Sequence, residues 1–531
     1  MNSKYISIIL FFGLVTNLSA QNEMNNWYFG MGGGITFNTT PPTALTNGQL
    51  NQSEGCASIS DKNGSLLFYT SGTKIYDALH VTMPNGLGLS GNTNSTQSGV
   101  IVPMPLSDSL YYVFTVKNWT TSGDGFAYNV VDMSLPGNGT VNSPLGDIVQ
   151  GKKNILIHKD VREQVTAIYH SNCKDVWIIT HQGSMWFTSD TFMVYLLTDT
   201  GLQMNPVKSA LGMTYTGSNR FGSLKPSHDG KKLCSAFGGV GTTVVELYDF
   251  DNSSGVISNP IMIADDIWNA YSSEFSPDNN ILYVTGHNNP FIYQYDLTSG
   301  VSTTIIASKT DISNGGAIKS SLQIGPDNKI YVSRKNSSYL GVINDPNILG
   351  TSCNYVDLGV SLNGGTAQLG LPTFMQSYFP PTKFEEDTML CFGDTLLLDA
   401  SASNATYIWH DSSTTPVYTV TQSGVYSVEV SIYACVFYDT SNVSFVPLPN
   451  ANAGPDTALC LGDTMLLGDS PISGSSYSWQ ATNSLSDINV SNPIANPLAD
   501  ESFIVTEIDS NGCVDKDTVS ILVYPIPNLG L

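Results

Sequence analysis

Pro277-Asp278-Asn279-Asn280-Ile281-Leu282-Tyr283-Val284 decides the fold, because Pro326-Asp327-Asn328-Lys329-Ile330-Tyr331-Val332 repeats it with the aspartate 49 residues on. Ser227-His228-Asp229-Gly230-Lys231-Lys232-Leu233-Cys234 places a third aspartate another 49 residues upstream. Asp, Asn and Gly in such a row suit a tight hairpin with left-handed backbone. The apolar run after each suits an inner strand buried on both faces. Looser copies begin at Asp61, Ser107 and Asn172. A four-stranded sheet returning every 40 to 50 residues or so is the sequence mark of a β-propeller. With these six copies, a seventh blade follows if Ala367 to Phe379 supplies its first strands and Trp27 to Asn38 its last. Joining the chain ends in one blade leaves no free sheet edge. Six blades is the alternative, and a large irregular β-sandwich is the competing fold, although it gives no reason for equal spacing.

The period changes after Pro380-Pro381. Asp387-Thr388-Met389-Leu390-Cys391-Phe392-Gly393-Asp394-Thr395 returns as Asp456-Thr457-Ala458-Leu459-Cys460-Leu461-Gly462-Asp463-Thr464, 69 positions later. Trp409 and Cys435 follow the first copy, Trp479 and Cys513 the second. The spacing predicts two immunoglobulin-like β-sandwich modules, 385–447 and 453–524, joined by the stiff linker Val446-Pro447-Leu448-Pro449-Asn450. Residues 525–531 echo that linker and read as the start of a truncated third copy. The predicted bridges are Cys391–Cys435 and Cys460–Cys513, each contributing about 4 kcal/mol and each packed by its tryptophan. Cys56, Cys173, Cys234 and Cys353 read as unpaired core residues, with further disulfides or metal ligation as the alternatives.

Residues 1–20 read as an export signal, with Lys4, an apolar run from Ile6 to Val15, and Ser19-Ala20 before the cut. No later stretch reaches the roughly 20 apolar residues of a membrane span. Net charge is −23 with only 12% charged residues, which argues against nucleic acid and anionic membranes. The dispersed acids permit Ca²⁺, but no complete calcium loop is written. Residues 21–381 are thus expected to form an extracellular all-β head.

Several residues qualify as chemistry. His158, His170 and His181, beside Arg162 and Glu163, could hold a metal or act as acid and base. However, a hairpin centred near Cys173-Lys174 sets His170 opposite Trp177 and His181 opposite Thr166, which favours hydrogen-bonded strand-end histidines. His80, His228 and His287 read the same way. Glu54, Glu163, Asp175 and Glu274 are the acids able to line a central funnel, although turn and rim positions suit them equally. Gly30-Met31-Gly32-Gly33-Gly34 precedes a strand and not a helix, so it lacks the context of a phosphate loop. Tyr111, Tyr112, Trp119, Trp186, Tyr215 and Trp268 could stack on sugars or grip peptide, or fill the spaces between blades. No catalytic set emerges, and no cofactor is assigned.

Asn26-Trp27-Tyr28-Phe29-Gly30, Glu54-Gly55-Cys56-Ala57, Leu67-Phe68-Tyr69-Thr70, Met83-Pro84-Asn85-Gly86 and Ser95-Thr96-Gln97-Ser98 resemble the propeller of large secreted proteins of the Bacteroidota. So do Asp175-Val176-Trp177 with Thr180-His181, and Gln368-Leu369-Gly370-Leu371-Pro372 with Gln376-Ser377-Tyr378-Phe379. The resemblance implies tandem immunoglobulin-like or PKD-like modules. It also implies a gliding-motility-associated C-terminal domain read by the type IX secretion machinery, which this sequence lacks. It implies O-glycosylation at Asp-Thr/Ser-apolar tripeptides, here Ser109, Thr388, Thr395, Thr457, Thr464 and Thr518; ordinary strand alternation explains the same tripeptides. The expected function is a secreted or cell-surface, non-enzymatic binding or adhesion protein taking an extracellular polysaccharide or protein. The alternatives are a propeller hydrolase or lyase acting on polysaccharide, and a structural spacer for surface assembly or gliding motility.

Overall fold

The computed structural model describes residues 22–118, 125–184, 186–215, 219–239, 243–376, 388–401, 405–432, 435–480 and 483–526. The export signal 1–20, Trp119 and residues 527–531 of the tail lie outside them. By internal contact the chain divides into two compact units. One takes Met1–Lys383, Ala400–Pro416 and Val428–Asp439; the other takes Phe384–Asp399, Val417–Ser427 and Thr440–Leu531. The division runs through the first C-terminal repeat.

Among the described residues, seven antiparallel sheets follow one another from Asn26 to Ser361. The first has three strands, Asn26–Phe29, Gly33–Thr36 and Thr43–Ala44. Six larger sheets then begin at Ala57–Ser60, Gly99–Pro103, Val161–Tyr169, Asn219–Pro226, Ala270–Phe275 and Lys319–Ile324. The starting strand of each packs against that of the next, which is a β-propeller-type arrangement around a common axis.

The repeat that announced this fold is written in the turns. Asp229, Asp278 and Asp327 occupy matching places between the first and second strands of three successive sheets. Each carboxylate accepts the backbone N–H two residues on, from Lys231, Asn280 and Lys329. The residue after each aspartate is left-handed: Gly230 at φ 66°, Asn279 at 63° and Asn328 at 58°. Glycine and asparagine tolerate that conformation at little steric cost, so local chemistry sets the hairpin.

The two ends of this unit meet. Thr366 bridges Met31, Ala367 bridges Ser337, and Pro372 bridges Cys56. The returning segment thereby touches the first, second and last sheets. Gly30 sits at this junction with φ 58°, and a Cβ there would lie 2.3 Å from the Thr366 carbonyl oxygen. The glycine run therefore serves close backbone approach, not phosphate. Trp27 is fully buried among Phe37, Tyr331 and Phe374, with ring centroids 5.1, 5.4 and 5.6 Å away.

The C-terminal repeats share one topology. In the first, the sheet order is Thr388–Cys391, Cys435–Val446, Gly424–Ile432, Ala405–Trp409, beside a two-stranded Leu396–Asp399/Val417–Val420 sheet. The second repeats it with Thr457–Cys460, Val514–Tyr524, Glu501–Ile508 and Ser476–Trp479, beside Met465–Leu466/Ile494–Ala495. Trp409 donates its indole N–H to Thr415 O and Trp479 to Val490 O.

Neither predicted disulfide forms. Cys391 is bonded to Cys513, and Cys435 to Cys173, while Cys460 is an exposed thiol. The reason is strand geometry. The first strand of each repeat runs parallel to the last and meets its far end, Cys391 beside Val446 and Cys460 beside Tyr524. Cys435 and Cys513 stand at the near end, eleven positions earlier. Eleven extended residues span about 36 Å, so no cystine can close within a repeat. Trp479 accordingly packs on Leu467, Phe503 and Val519 and not on a bridge. Cys56, Cys234 and Cys353 are free and buried, while Cys173 is the exception to the unpaired reading.

The Val161–Tyr169 hairpin also differs in register: Trp177 faces Ile168, and Thr166 faces Ile179. Asn172 Oδ1 accepts both the Lys174 and Asp175 N–H groups, and Cys173 is left-handed at φ 54°. The turn is thus centred one residue earlier than expected.

Candidate functional site

The start of each first strand, the end of each second strand and the loop that enters each sheet lie on the same face, here called upper. The aspartate turns lie on the lower face. The first strands pack side by side around the axis without a shared ladder, so their polar groups need partners from neighbouring sheets. Side chains supply them. Gln97 Oε1 accepts Leu224 N–H at 2.9 Å, Ser223 Oγ accepts Ser273 N–H at 3.2 Å, and Ser272 Oγ accepts Leu322 N–H at 3.0 Å.

Near the lower face, Glu274 and Lys225 form a buried ion pair at 2.9 Å. Gln376 and the Ile324 N–H donate to Glu274, and Lys225 donates to Gln323 Oε1. Every charge in this cluster is matched, and it ties three sheets and the returning segment together.

The upper face is different. Glu163 Oε2 accepts the Thr96 N–H at 3.1 Å, and the Thr96 hydroxyl accepts Gly222 N–H at 3.1 Å. Glu54 and Tyr271 both approach that hydroxyl. Yet neither Glu54 Oε2 nor the Tyr271 hydroxyl completes a hydrogen bond, although both atoms are buried. Burial raises the Glu54 carboxyl to about 8, against smaller opposing effects of Thr96 and the Lys335 ammonium. The Tyr271 hydroxyl is raised well above its usual range by burial, then by Glu54 and Glu163. A buried donor and acceptor left open are costly in the absence of a partner.

Around this cluster the upper loops carry apolar rings. Trp186 is 81% exposed and Trp268 70%, and Phe187 and Phe291 are also exposed. His287 stacks near Phe221 and Tyr271 at 4.8 and 5.7 Å, and burial, then Lys335, lowers it to about 4. Lys335 donates to Asn288 at 3.0 Å.

The acids named from sequence thus separate. Glu54 and Glu163 come together, Glu274 is neutralised at the opposite end, and Asp175 lies out in a turn accepting Asn172. The histidines do not cluster: His170 meets Ser253 O at the lower face, whereas His181 is enclosed by Phe192 and Tyr215. Burial lowers His181 to about 3, so it is a neutral core residue. His158 accepts the Asp160 N–H. No group of three or more metal-ligating side chains occurs among the described residues. Of the aromatics, Tyr112 and Tyr215 are buried and Tyr111 packs edge-on to Phe68. Thr96, although it lies in the Ser95-Thr96-Gln97-Ser98 stretch, and Tyr271 were not singled out as site residues because neither carries a charge. Thr395, Thr464 and Thr518 are exposed; Ser109, Thr388 and Thr457 are partly covered.

A pH profile tests the Glu54 environment. The folded chain holds this proton where the unfolded chain has released it, so stability falls from about pH 4.5 to about pH 8. Glu54→Gln is expected to flatten that fall in denaturant midpoints taken at pH 5, 6.5 and 8. An unchanged slope contradicts the buried neutral carboxyl.

No family model and no curated protein matches the chain. Among solved structures, the β-propeller domain of Cps50 (Swd1) from Myceliophteria thermophila is similar at 8% identity and TM-score 0.36, over 59% of this chain and 94% of that one. A putative 6-phosphogluconolactonase from Bacteroides fragilis is similar at 10% identity and TM-score 0.33, over 74% and 94%. The DIP-gamma IG1+IG2 structure is similar at 10% identity and TM-score 0.17, over 26% and 94%. At these values the likeness carries no functional weight, and the fold rests on the sheet topology above. Among the described residues, no helix is long and apolar enough to cross a membrane.

Proposed function

We propose that this chain is a secreted or cell-surface binding protein whose seven-bladed propeller recognises an extracellular polysaccharide. In this reading the C-terminal repeats are immunoglobulin-like or PKD-like spacers, of the kind carried by secreted Bacteroidota proteins exported by type IX secretion. The six Asp-Thr/Ser sites are O-glycan acceptors, with exposed Thr395, Thr464 and Thr518 modified first. One observation carries the ligand class: the strongly exposed Trp186 and Trp268 rings lie on the same face. Sugars offer C–H faces to such rings.

The test is calorimetric titration of the intact protein with soluble polysaccharides chosen by glycan array. Trp186→Ala and Trp268→Ala are each expected to weaken binding about five- to tenfold, the ~1 kcal/mol scale of one aromatic contact. Both rings are solvent-exposed, and thermal unfolding of each variant checks that folding is retained. Binding that is absent across broad panels, or indifferent to both substitutions, overturns the reading. A hydrolase or lyase is the second reading, favoured by the Glu54 and Glu163 carboxyls that both reach Thr96, since paired carboxyls cleave glycosidic bonds. It predicts shortened chains in the same incubations.

A further inference from the structure

Cystines in this chain link neighbours instead of closing repeats. Cys435, at the near end of the first repeat's last strand, is bonded backward to Cys173. Cys513, the matching residue of the second repeat, is bonded backward to Cys391 of the first. Each bond therefore joins a near-end cysteine to the element before it. Cys391 and Cys460 are the matching far-end residues, in the motifs Leu390-Cys391-Phe392-Gly393-Asp394 and Leu459-Cys460-Leu461-Gly462-Asp463. Their backbone hydrogen bonds match. Phe392 N–H donates to Val446 O and Leu461 N–H to Tyr524 O, while Asp394 N–H and Asp463 N–H donate back to the two cysteine carbonyls. One of this pair is a half-cystine, and the other is an exposed thiol.

We infer that Cys460 is a half-cystine site for the near-end cysteine of a further repeat of the same kind. The bonded state of Cys391 is the same residue of the same motif already holding such a partner. A second feature agrees with it. A cleft of about 410 Å³ is lined by Leu461, the residue after Cys460, with Leu498, Ala499, Asp500, Val523 and Pro525. A second copy of this chain does not fit, because its Cys435 and Cys513 are already spent and it could offer only its own Cys460.

The bond forms by exchange with an external disulfide oxidant of the thiol–disulfide class. The Cys460 thiolate attacks one sulfur of the oxidant, giving a mixed disulfide. The incoming loop's thiolate then displaces that sulfur, and two electrons and two protons leave with the oxidant as a dithiol.

The experiment uses the full chain, extended at residue 527 by a duplicate of residues 450–526 and folded under oxidising conditions. Peptide mapping without reduction is expected to find Cys460 joined to the duplicate of Cys513. Alkylation at Cys460 is lost and reappears at the duplicate of Cys460. Cys460→Ser leaves the added near-end cysteine alkylatable. In parallel, the unextended chain is offered a peptide of sequence Asp509 to Val514, activated as a mixed disulfide. Cys460 is expected to take it up faster than a scrambled peptide, a result independent of whether the extended chain folds. Cys460 that stays alkylatable in the extended chain, Cys460–Cys460 dimers, or equal rates with both peptides overturn the inference.

Discussion

Lys225→Met is expected to destabilise the propeller unit by about 3–5 kcal/mol, the usual cost of stranding one partner of a buried ion pair. Lys225 and Glu274 are 2.9 Å apart, with side chains 6% and 0% exposed. Methionine fills the aliphatic volume but leaves the Glu274 carboxylate buried without its counter-charge. The remaining donors, Gln376 and Ile324 N–H, are neutral and offset only part of the loss. Adding Glu274→Gln should restore most of the stability, because no uncompensated charge then remains. Denaturant unfolding of the two variants measures this. A single-variant loss under about 1 kcal/mol, or a double variant no better than Lys225→Met, contradicts the account.

Trp27→Ala is the second large effect, also expected at about 3–5 kcal/mol, as for other buried tryptophans cut to alanine. Trp27 is 0% exposed, and its indole N–H donates to Met24 O at 2.8 Å. Its ring contacts Phe37 from the first sheet, Tyr331 from the last, and Phe374 from the returning segment. The cavity would therefore open where the ends of the unit meet, and few neighbours could collapse into it. Thermal unfolding, with limited proteolysis near residue 374 as a local readout, checks the prediction. A small loss, or cleavage no faster than in the parent, counts against the closing role of this residue.

These two sites show what a sequence states openly and what it keeps implicit. The aspartate turns are local: a carboxylate two residues before an N–H and a left-handed Gly or Asn write the hairpin in adjacent letters. The ring followed from their spacing. The cystines did not, because spacing counts residues along a strand while bonding depends on which end of the strand each cysteine occupies. A parallel first and last strand puts Cys391 and Cys435 about 36 Å apart, and no composition rule reveals that pairing direction. Glu54 and Glu163 could be named from charge alone. Their neighbours Thr96 and Tyr271 could not, since they carry no charge and come from distant parts of the chain. The exposed tryptophans were legible as residues but not as a shared face, which only the topology supplies.

The bridge from Met31 to Thr366 also constrains how the chain comes into being. The opening strands pair locally, but Met31 gains its Thr366 bridge only after the last of the seven described sheets has been synthesised, so this closing contact is long-range and forms slowly. Closure of the unit is therefore a late, single step that waits for both of its ends.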